Sequence, residues 1–441
     1  MTHNEHNDRA ASPADPQTLF MEAVQLHQQN EPARAEEKYL QVLALLPDNP
    51  RVLGNLAILY KDRQRFDEAE ACCRRALERA PADPQLLLNL GAVQEAKGEL
   101  AAAADSFRRV LGLEPANPKA LSNLGKLLCL QGQLAEAEAA VKQALQLEPR
   151  YPLAFNNLGV IYSRQGKTEA AIDCLQKALA LQPGDVNTLY NLAGVYGSAE
   201  RTAEAAQCLR RLLALAPDHG AARHMLAAFS GETTATAPAQ YVENTFDLYA
   251  ASFDRHLEGK LGYAVPAALS LLLRETMGSG CRFGRAIDLG CGTGLSGRPC
   301  RDLADHFTGI DLSANMLALA REKEIYDRLI RRDITAFLQG CDEQFDLFIA
   351  ADVFIYVGKL EEILAAVSHS AAPNACLVFS IELAENEDDY RLRSSGRYAQ
   401  SAAYIERLAA DNGFIVAACR DHNIRQEKQQ WIAGKLYVLK K

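Results

Sequence analysis

Asp288-Leu-Gly-Cys-Gly-Thr-Gly-Leu-Ser-Gly297 is the stretch that decides the fold of the second half of this chain. It continues the apolar run 285–289, which has the length and composition of a buried strand. Gly290, Gly292 and Gly294 have no Cβ, so the backbone can turn sharply there and approach a ligand closely. The stretch therefore predicts a strand that ends in a ligand-binding loop.

Short apolar runs alternate with helical segments around this loop. They lie at 308–310, 345–350, 375–381, 414–418 and 431–439. Alternation of this kind predicts a mostly parallel sheet with helices on both faces. Ligands of such sheets bind beyond the carboxyl ends of the strands, so acids at those ends are candidate binding residues.

The first half of the chain is an internal repeat with a period of 34 residues. Prolines stand at 47, 81, 115, 149, 183 and 217, and small residues keep the same period at Ala23, Ala57, Gly91, Gly125, Gly159 and Ala193. Each unit contains two amphipathic helical segments. The small residues let the two helices approach, and a proline follows the second helix because it cannot continue it.

This pattern resembles the tetratricopeptide repeat family over residues 16–219, as six units, and Phe155-Asn-Asn-Leu-Gly-Val-Ile-Tyr162 keeps the family pattern almost intact. The resemblance implies an all-α solenoid that binds a protein or peptide partner in its groove. Residues 220–229 are expected to form one more helix that covers the open end of the array.

A column of asparagines occupies one position of five successive units: Asn55, Asn89, Asn123, Asn157 and Asn191. Each carboxamide has donors and an acceptor, so the column could bind the backbone of an extended peptide. A similar ladder occurs in the repeats of O-GlcNAc transferases. The alternative is that these asparagines serve only the scaffold.

Two cofactors compete for the glycine loop. The spacing Gly292-x-Gly294-x-x-Gly297 also fits a dinucleotide fingerprint. A dinucleotide would place its anionic pyrophosphate at a helix N-terminus, where Asp288 would repel it. S-adenosylmethionine has two cationic groups and no phosphate, so Asp288 favours that cofactor. Asp311 suits ribose hydroxyls in both cases, and Asp333 can accept from an adenine amino group.

Residues 241–441 thereby resemble the class I S-adenosylmethionine-dependent methyltransferases, and in particular the bacterial members preceded by tetratricopeptide repeats. The resemblance implies a Rossmann-like α/β domain, S-adenosylmethionine as cofactor, and a helix at 246–257 that covers it. The cofactor-binding residues that it implies are Asp288, Gly290, Gly292, Gly294, Asp311, Asp333, Ile334 and Tyr249.

Catalysis by such an enzyme consists largely of aligning the acceptor with the sulfonium methyl group and excluding water. A base helps a hydroxyl or amine acceptor, whereas a carboxylate acceptor needs none. The candidate catalytic residues lie near strand ends, and they are Asp352, Tyr356, Arg397 and Tyr398, with Glu382 as a further candidate base. Each has a structural alternative: Asp352 could cap a helix, Tyr356 could belong to the core, and Arg397 could form a surface ion pair.

Composition bounds the remaining possibilities. The 441 residues are 48% apolar and carry a formal charge of −9, which argues against a nucleic-acid partner. No apolar run has the length of a membrane span or a signal peptide, so the expected location is the cytoplasm. The eleven cysteines and nine histidines form no metal-ligand pattern, so no metal is expected.

The sequence thus predicts a disordered lead (1–15), repeats with a capping helix (16–229), a linker (230–240) and a methyltransferase domain (241–441). The expected function is methyl transfer to a protein, or to its cargo, that the repeats recruit; the acceptor itself stays open. One alternative is a small-molecule O- or N-methyltransferase whose repeats drive oligomerisation. Another is a non-catalytic interaction protein that binds the cofactor.

Overall fold

The computed structural model describes residues 15–250, 253–254, 262–278, 280–384, 388–427 and 430–441, without the side chains of residues 248 and 249. The chain forms two compact units. The first comprises Met1–Cys129 and Gln133–Lys167, and the second comprises Leu130–Gly132 and Thr168–Lys441. No helix in the described ranges is both long enough and apolar enough to cross a bilayer.

Paired helices of 13 and 14 residues build the repeats, as the 34-residue period predicts. The pairs are α1 (Pro16–Gln28) and α2 (Pro32–Leu45), α3 (Pro50–Asp62) and α4 (Phe66–Arg79), α5 (Pro84–Ala96) and α6 (Leu100–Leu113), α7 (Pro118–Leu130) and α8 (Leu134–Leu147), α9 (Pro152–Arg164) and α10 (Thr168–Leu181), α11 (Val186–Ser198) and α12 (Thr202–Leu215). The expected additional helix follows as α13 (Gly220–Ser230).

In five of the six repeats the first helix begins with a proline, which is pre-organised for the first helical position. Before Pro50 and Pro84, the side chains of Asn49 and Asp83 cap the helix by accepting from two free backbone N–H groups each. Pro81 follows α4 by two residues, where the chain leaves the helix.

Small residues let the helices of a pair approach, as the sequence predicts. A Cβ on Gly91 would lie 2.6 Å from the Phe107 ring of the paired helix, and one on Gly125 would collide with the Val141 side chain. Interiors this closely packed do not accept an extra methyl group without movement. Glycine is therefore required at these positions by its missing side chain.

The second unit contains a seven-stranded sheet of order β3-β2-β1-β4-β5-β9-β8. Its strands are β1 (Phe283–Leu289), β2 (Ala304–Asp311), β3 (Arg328–Arg331), β4 (Phe345–Ala350), β5 (Ala371–Glu382), β8 (Ile415–Glu427) and β9 (Gln430–Lys440). β1–β5 are parallel, and β9 is antiparallel to both β5 and β8. The predicted mostly parallel α/β sheet is thereby confirmed.

Helices and a small second sheet surround the large one. The helices are α14 (Ala239–Tyr249), α15 (Val265–Met277), α16 (Ala314–Glu322), α17 (Ile334–Gln339), α18 (Glu361–Ser370) and α19 (Ala402–Asp411), and the small sheet pairs β6 (Tyr390–Leu392) with β7 (Tyr398–Gln400). Apolar side chains form a core on each face of the large sheet, with Ile287 and Phe348 in one core and Ala286 and Leu347 in the other.

Two local predictions need correction. The glycine loop leads into a six-residue 3-10 helix (Arg298–Leu303), where the alternation of strands and helices predicts an α-helix, and Pro299 lies in its first turn, where proline is tolerated. The expected strand 414–418 extends to residue 427, since β8 pairs with β9 along nearly its whole length. That extension brings Arg425 to the carboxyl ends of the parallel strands.

Packing at Gly125 provides a stability test. We expect Gly125→Ala to lower the free energy of unfolding by about 1–3 kcal/mol, because the new methyl group would collide with Val141. Gly194→Ala is the control: Gly194 lies at a similar position along α11 but is exposed, and its Cβ would meet no described atom within 4 Å. The control should be neutral or stabilising by up to about 1 kcal/mol. Chemical denaturation of the full chain measures both, and equal effects would refute the packing argument.

Candidate functional site

A cavity of about 660 Å³ opens at the carboxyl ends of the parallel strands. The loop after β1, the ends of β2 and β4, and the start of α17 form one side of it. The segment 236–239 and helix α14 form another side, and Arg397 and Arg425 contribute a third. Binding at this edge is what an open α/β sheet predicts.

The glycine loop adopts the backbone that its sequence predicts. Gly290, Gly292 and Gly294 have φ values of 71°, 52° and 92°, in the left-handed region that side chains rarely adopt. Gly290 and Gly292 line the cavity, and a Cβ on Gly292 would meet no described atom closer than 4.0 Å. Gly294 faces away, toward Ile325.

Asp288 lies buried beneath this loop and does not itself line the cavity. Its Oδ2 accepts hydrogen bonds from Ser296 Oγ at 2.7 Å and from Tyr326 OH at 2.6 Å. Its Oδ1 has no hydrogen-bond partner among the described residues. Burial raises the pKa of Asp288 to about 6, against the two hydrogen bonds that lower it. Oδ1 is therefore the oxygen of this carboxylate that is left to accept a further hydrogen bond.

Tyr326 explains the last glycine of the loop. A Cβ on Gly297 would collide with the Tyr326 hydroxyl group, which reaches past it to Asp288. Gly297 thus makes room for a tyrosine, whereas a dinucleotide fingerprint would use the loop and the following helix to hold a phosphate.

Asp311 and Asp333 both line the cavity, and so does Ile334. Asp311 accepts from the backbone N–H groups of Gly292 at 2.9 Å and Ser313 at 2.8 Å, so it holds the glycine loop against the end of β2. Asp333 caps α17 through a 2.9 Å bond from the Ala336 N–H. The predicted cofactor residue Tyr249 has its side chain outside the described residues.

Helix α14 covers the cavity on the side where the sequence predicts a covering helix. Val242, Thr245 and Phe246 line it, and the Phe246 ring stacks edge-on against Tyr356 with 5.4 Å between centroids. An ion pair of 2.7 Å between Glu243 and Arg331 ties the helix to the edge of the sheet. Most of the segment 251–257, which completes the predicted covering helix, lies outside the described residues.

A charged cluster also borders the cavity. Three arginines, Arg393, Arg397 and Arg425, are interleaved with three acids, Asp352, Glu382 and Glu427. We call the four members of this region that line the cavity, Asp352, Tyr356, Arg397 and Arg425, the arginine wall.

Arg425 is the centre of the cluster, with a side chain only 3% exposed. It donates to Asp352 Oδ2 at 3.2 Å, to Glu427 Oε1 at 3.1 Å, and to Glu382. Arg397 donates to Glu427 through Nη1. A guanidinium group has five N–H donors, so both arginines keep donors for a ligand.

The pKa values of two acids in the cluster are shifted in opposite directions. Burial raises the pKa of Asp352, although Arg425 opposes the effect. Burial also acts to raise the pKa of Glu427, but Arg397 and Arg425 outweigh it and keep that pKa below its ordinary value. When all six groups are ionised their charges cancel, and protonation of Asp352 leaves one net positive charge facing the cavity.

The structure brings three of the four candidate catalytic residues to the cavity: Asp352, Tyr356 and Arg397. Tyr398 is fully buried outside it and pairs with Thr234 Oγ1 at 2.6 Å. The further candidate Glu382 is a counter-ion of Arg393 and Arg425. Sequence reasoning missed Arg425; pairing β8 with the strand at 431–439 along its full length would have revealed it.

The asparagine column has contacts within the repeats. Asn89 Nδ2 donates to the Gly54 carbonyl at 3.3 Å, and the buried Asn157 donates to the carbonyl and the hydroxyl of Ser122 at 3.2 Å and 3.0 Å. Each bond joins the first helices of consecutive repeats. These contacts favour the scaffold alternative at positions 89 and 157.

Within the described ranges, no set of three or more histidine, cysteine, aspartate or glutamate side chains is arranged to hold a metal ion.

Comparison with protein families assigns both halves of the chain. Residues 55–120, 117–184 and 151–218 match tetratricopeptide repeat families. Residues 287–377, from β1 to β5, match a family described as a methyltransferase domain. The second match contains the glycine loop and most of the cavity-lining strand ends.

The curated relatives of this chain include several methyltransferases. A malonyl-[acyl-carrier protein] O-methyltransferase of Enterobacter lignolyticus is 32% identical over 30% of this chain and 53% of that protein. The enzyme of that name from Pectobacterium atrosepticum is 46% identical over 36% and 61%. A trans-aconitate 2-methyltransferase of Paracidovorax citrulli is 31% identical over 28% and 47%. The chain thus spans about half to three fifths of the length of these relatives.

Among solved structures, a thermophilic tetratricopeptide-repeat protein of Thermus thermophilus is 24% identical to this chain. The TM-score is 0.39, and the match covers 41% of this chain and 98% of that one.

The bonds of Asn157 distinguish the two interpretations of the asparagine column. We expect Asn157→Ala to lower the free energy of unfolding by about 1–3 kcal/mol, because the buried hydrogen bonds from Asn157 to the Ser122 carbonyl and hydroxyl are lost. Asn157→Asp should be at least as damaging, since it keeps the shape and removes the donor. Thermal and chemical denaturation measure the effect. Unchanged stability of both variants would instead favour a role in peptide binding.

Proposed function

We propose that this chain, in which tetratricopeptide repeats precede a methyltransferase domain, transfers a methyl group from S-adenosylmethionine to a carboxylate oxygen of its acceptor. The observation that carries this proposal is the cavity itself. It places two guanidinium groups, those of Arg397 and Arg425, in one space with the glycine loop.

The residues at the glycine loop fit S-adenosylmethionine. The free Oδ1 of Asp288 suits the cationic amino group of the cofactor, and Asp311 suits its ribose hydroxyl groups. Asp333 and Ile334 would contact the adenine ring. The short 3-10 helix after the loop offers no long helix N-terminus for a pyrophosphate, which supports this cofactor over a dinucleotide.

The arginine wall suits a carboxylate acceptor. Arg397 and Arg425 present donors in the planar geometry that matches a carboxylate group. The charged groups of the wall are themselves paired: Asp352 accepts from Arg425 and from Ser380 Oγ at 3.2 Å. A hydroxyl or amine acceptor would be helped by a free base, whereas a carboxylate is already a nucleophile and has no proton to lose.

The relatives support the same acceptor class. Two of them are named for a malonyl group and one for trans-aconitate, and both compounds carry carboxylates. Because the match covers only part of each relative, the acceptor of this chain is argued from its own arginines.

The chemistry that the cofactor supplies is a methyl group on a good leaving group. In the transfer, an acceptor carboxylate oxygen forms the new bond to the methyl carbon while the carbon–sulfur bond breaks. The products are a methyl ester and S-adenosylhomocysteine, and no proton moves. Arg397 and Arg425 orient the carboxylate, while Phe246 and Tyr356, whose rings pack against each other, exclude water.

The repeats are proposed to recruit the protein that carries or supplies this acceptor, since binding of partners is the usual role of such arrays. The two alternatives are a small-molecule enzyme with oligomerising repeats and a cofactor-binding protein without turnover. All eleven cysteines are free thiols, which agrees with the proposed cytoplasmic location.

Cofactor binding should depend on the ionisation of Asp288. Its pKa of about 6 means that a cationic ligand must bind the deprotonated form. We therefore expect the dissociation constant of S-adenosylhomocysteine to rise toward about tenfold per pH unit below pH of about 6, and to be flat above about 7. Calorimetry on the full chain measures it.

Two variants provide controls for this pH dependence. Asp288→Asn keeps the shape and cannot ionise, so its binding should be weak and independent of pH in this range. Asp302→Asn changes an exposed acid paired with Arg274 and should behave like the wild type. The same slope in Asp288→Asn as in the wild type would remove Asp288 from the cofactor site.

The acceptor class can be tested by the chemistry of the product. We expect the full chain with methyl-labelled cofactor and a cell extract to form methyl esters, which mild alkali hydrolyses with release of labelled methanol. Alkali-stable label would show transfer to nitrogen or to an ether oxygen and would contradict the carboxylate proposal. Absence of transfer despite cofactor binding would favour the non-catalytic alternative.

Arg397→Gln extends this experiment to the arginine wall. Loss of a charge-assisted contact of about 1.5–3 kcal/mol should lower kcat/KM for the ester-forming acceptor by roughly 10- to 100-fold. The affinity for S-adenosylhomocysteine should not change. Arg407→Gln is the matched control, because Arg407 forms an exposed ion pair with Asp389 outside the cavity. Equal activity of the two variants would exclude Arg397 from the acceptor site.

A further inference from the structure

Helix α13, which follows directly on the last matched repeat, packs onto the small sheet β6–β7 of the second unit. Ala227 and Ala228 of α13 form one apolar cluster with Ala237, Leu392 and Tyr398. Tyr398 is the first residue of β7, directly after the hairpin turn 393–397. Helix α13 therefore lies against the base of the turn that carries Arg397 to the cavity.

One polar contact in this region spans 172 residues of sequence. His224 of α13 is 2% exposed, and its Nε2 lies 2.9 Å from the Gly396 carbonyl oxygen. A carbonyl only accepts, so Nε2 carries the proton and donates. The imidazole ring is packed between Tyr241 and Tyr398, with centroid distances of 4.9 Å and 5.9 Å.

The other ring nitrogen continues the network. With the proton on Nε2, Nδ1 accepts from the Thr234 hydroxyl at 3.4 Å, which in turn accepts from Tyr398 OH at 2.6 Å. Burial lowers the pKa of His224, which favours the neutral ring. In that form each ring nitrogen has a hydrogen-bond partner. Segment 230–240, which the sequence predicts as a linker, therefore contributes Thr234 to a buried network.

The turn that His224 holds is shaped to its surroundings. It is closed by bonds from the Arg393 N–H to the Arg397 carbonyl at 2.8 Å and from the Gly396 N–H to the Arg393 carbonyl at 2.9 Å. Gly396 has a φ of 77°, and a Cβ there would lie 2.6 Å from Tyr241 OH and 2.8 Å from Met225 Sδ. The next residue is Arg397.

We propose that His224 is a positioning residue for the acceptor site: it holds the turn 393–397 through the Gly396 carbonyl, so that Arg397 stays in the cavity beside Glu427. The helix that follows the repeats then supports the acceptor site from outside the cavity. An acceptor carboxylate bound by Arg397 stabilises the docked α13 in return, because coupling between two sites is reciprocal. The link to methyl transfer rests on the proposed function, whereas the link to anion binding does not.

The first test is kinetic and uses the full chain. His224→Leu cannot donate to Gly396, and we expect it to raise the KM for the carboxylate acceptor about tenfold, with kcat and the affinity for S-adenosylhomocysteine little changed. His224→Gln, whose side-chain N–H can donate to the same carbonyl, should restore most of the loss. His219→Leu removes the side-chain cap of the same helix and its stacking on Tyr190, so it controls for general weakening of α13.

Wild-type KM in His224→Leu, or an equal rise in His219→Leu, would overturn the proposal and leave His224 a structural residue only. Failure of Gln to restore KM would also count against the bond to Gly396.

A second test does not require turnover. Malonate serves as a dicarboxylate probe, and hydrogen–deuterium exchange of the full chain is measured with and without it. In the wild type, malonate should slow exchange at least threefold in both the turn 393–397 and α13. In His224→Leu it should protect neither, or the turn alone.

Protection of α13 by malonate in His224→Leu, or no protection in the wild type, would refute the coupling. If malonate protects as expected but no methyl ester forms, the proposed function fails and the positioning role of His224 stands.

Discussion

Buried carboxylates at the carboxyl edge of the sheet are the constraint on which the site depends. Asp288 and Asp311 lie at the ends of β1 and β2, and Asp352 follows β4, so the topology brings the three acids to one edge of the sheet. A carboxylate that leaves water must receive hydrogen bonds or lose its charge. Hydroxyl groups donate hydrogen bonds to Asp288, backbone N–H groups donate to Asp311, and an arginine donates to Asp352.

Those donors in turn explain features that look unrelated in sequence. Gly297 makes room for Tyr326, which serves Asp288, and the bend at Gly292 directs its N–H toward Asp311. Arg425 can serve Asp352 only because β8 extends well beyond its expected end. Among the described residues, Oδ1 of Asp288 keeps no hydrogen-bond partner, and in the proposed function this oxygen and the guanidinium groups of Arg397 and Arg425 serve a cationic cofactor and an anionic acceptor.

The repeats obey a different constraint, which is close packing of paired helices. Glycine stands at positions 91 and 125 because the facing side chains leave no room for a methyl group. Asn157 donates a hydrogen bond to a buried carbonyl of the preceding repeat. After the repeats the same chain forms α13 and the segment 233–237, whose polar groups bond to the second unit's sheet and loops. Part of the segment 230–240, which the sequence predicts as a linker, thus lines the cavity.

Periodicity and local chemistry determined much of this protein from the sequence alone. The 34-residue period, the alternation of strands and helices, and the glycine loop with its acids are local patterns, so the fold class and the cavity-lining residues Gly290, Gly292, Asp311, Asp333 and Ile334 could be predicted. The tertiary structure alone decided the rest. The length of β8 depends on pairing with β9, and the places of Arg425, Tyr398 and His224 depend on contacts between residues far apart in sequence. Burial and partner choice across such distances leave no periodic signal, because they arise only when separate elements pack together.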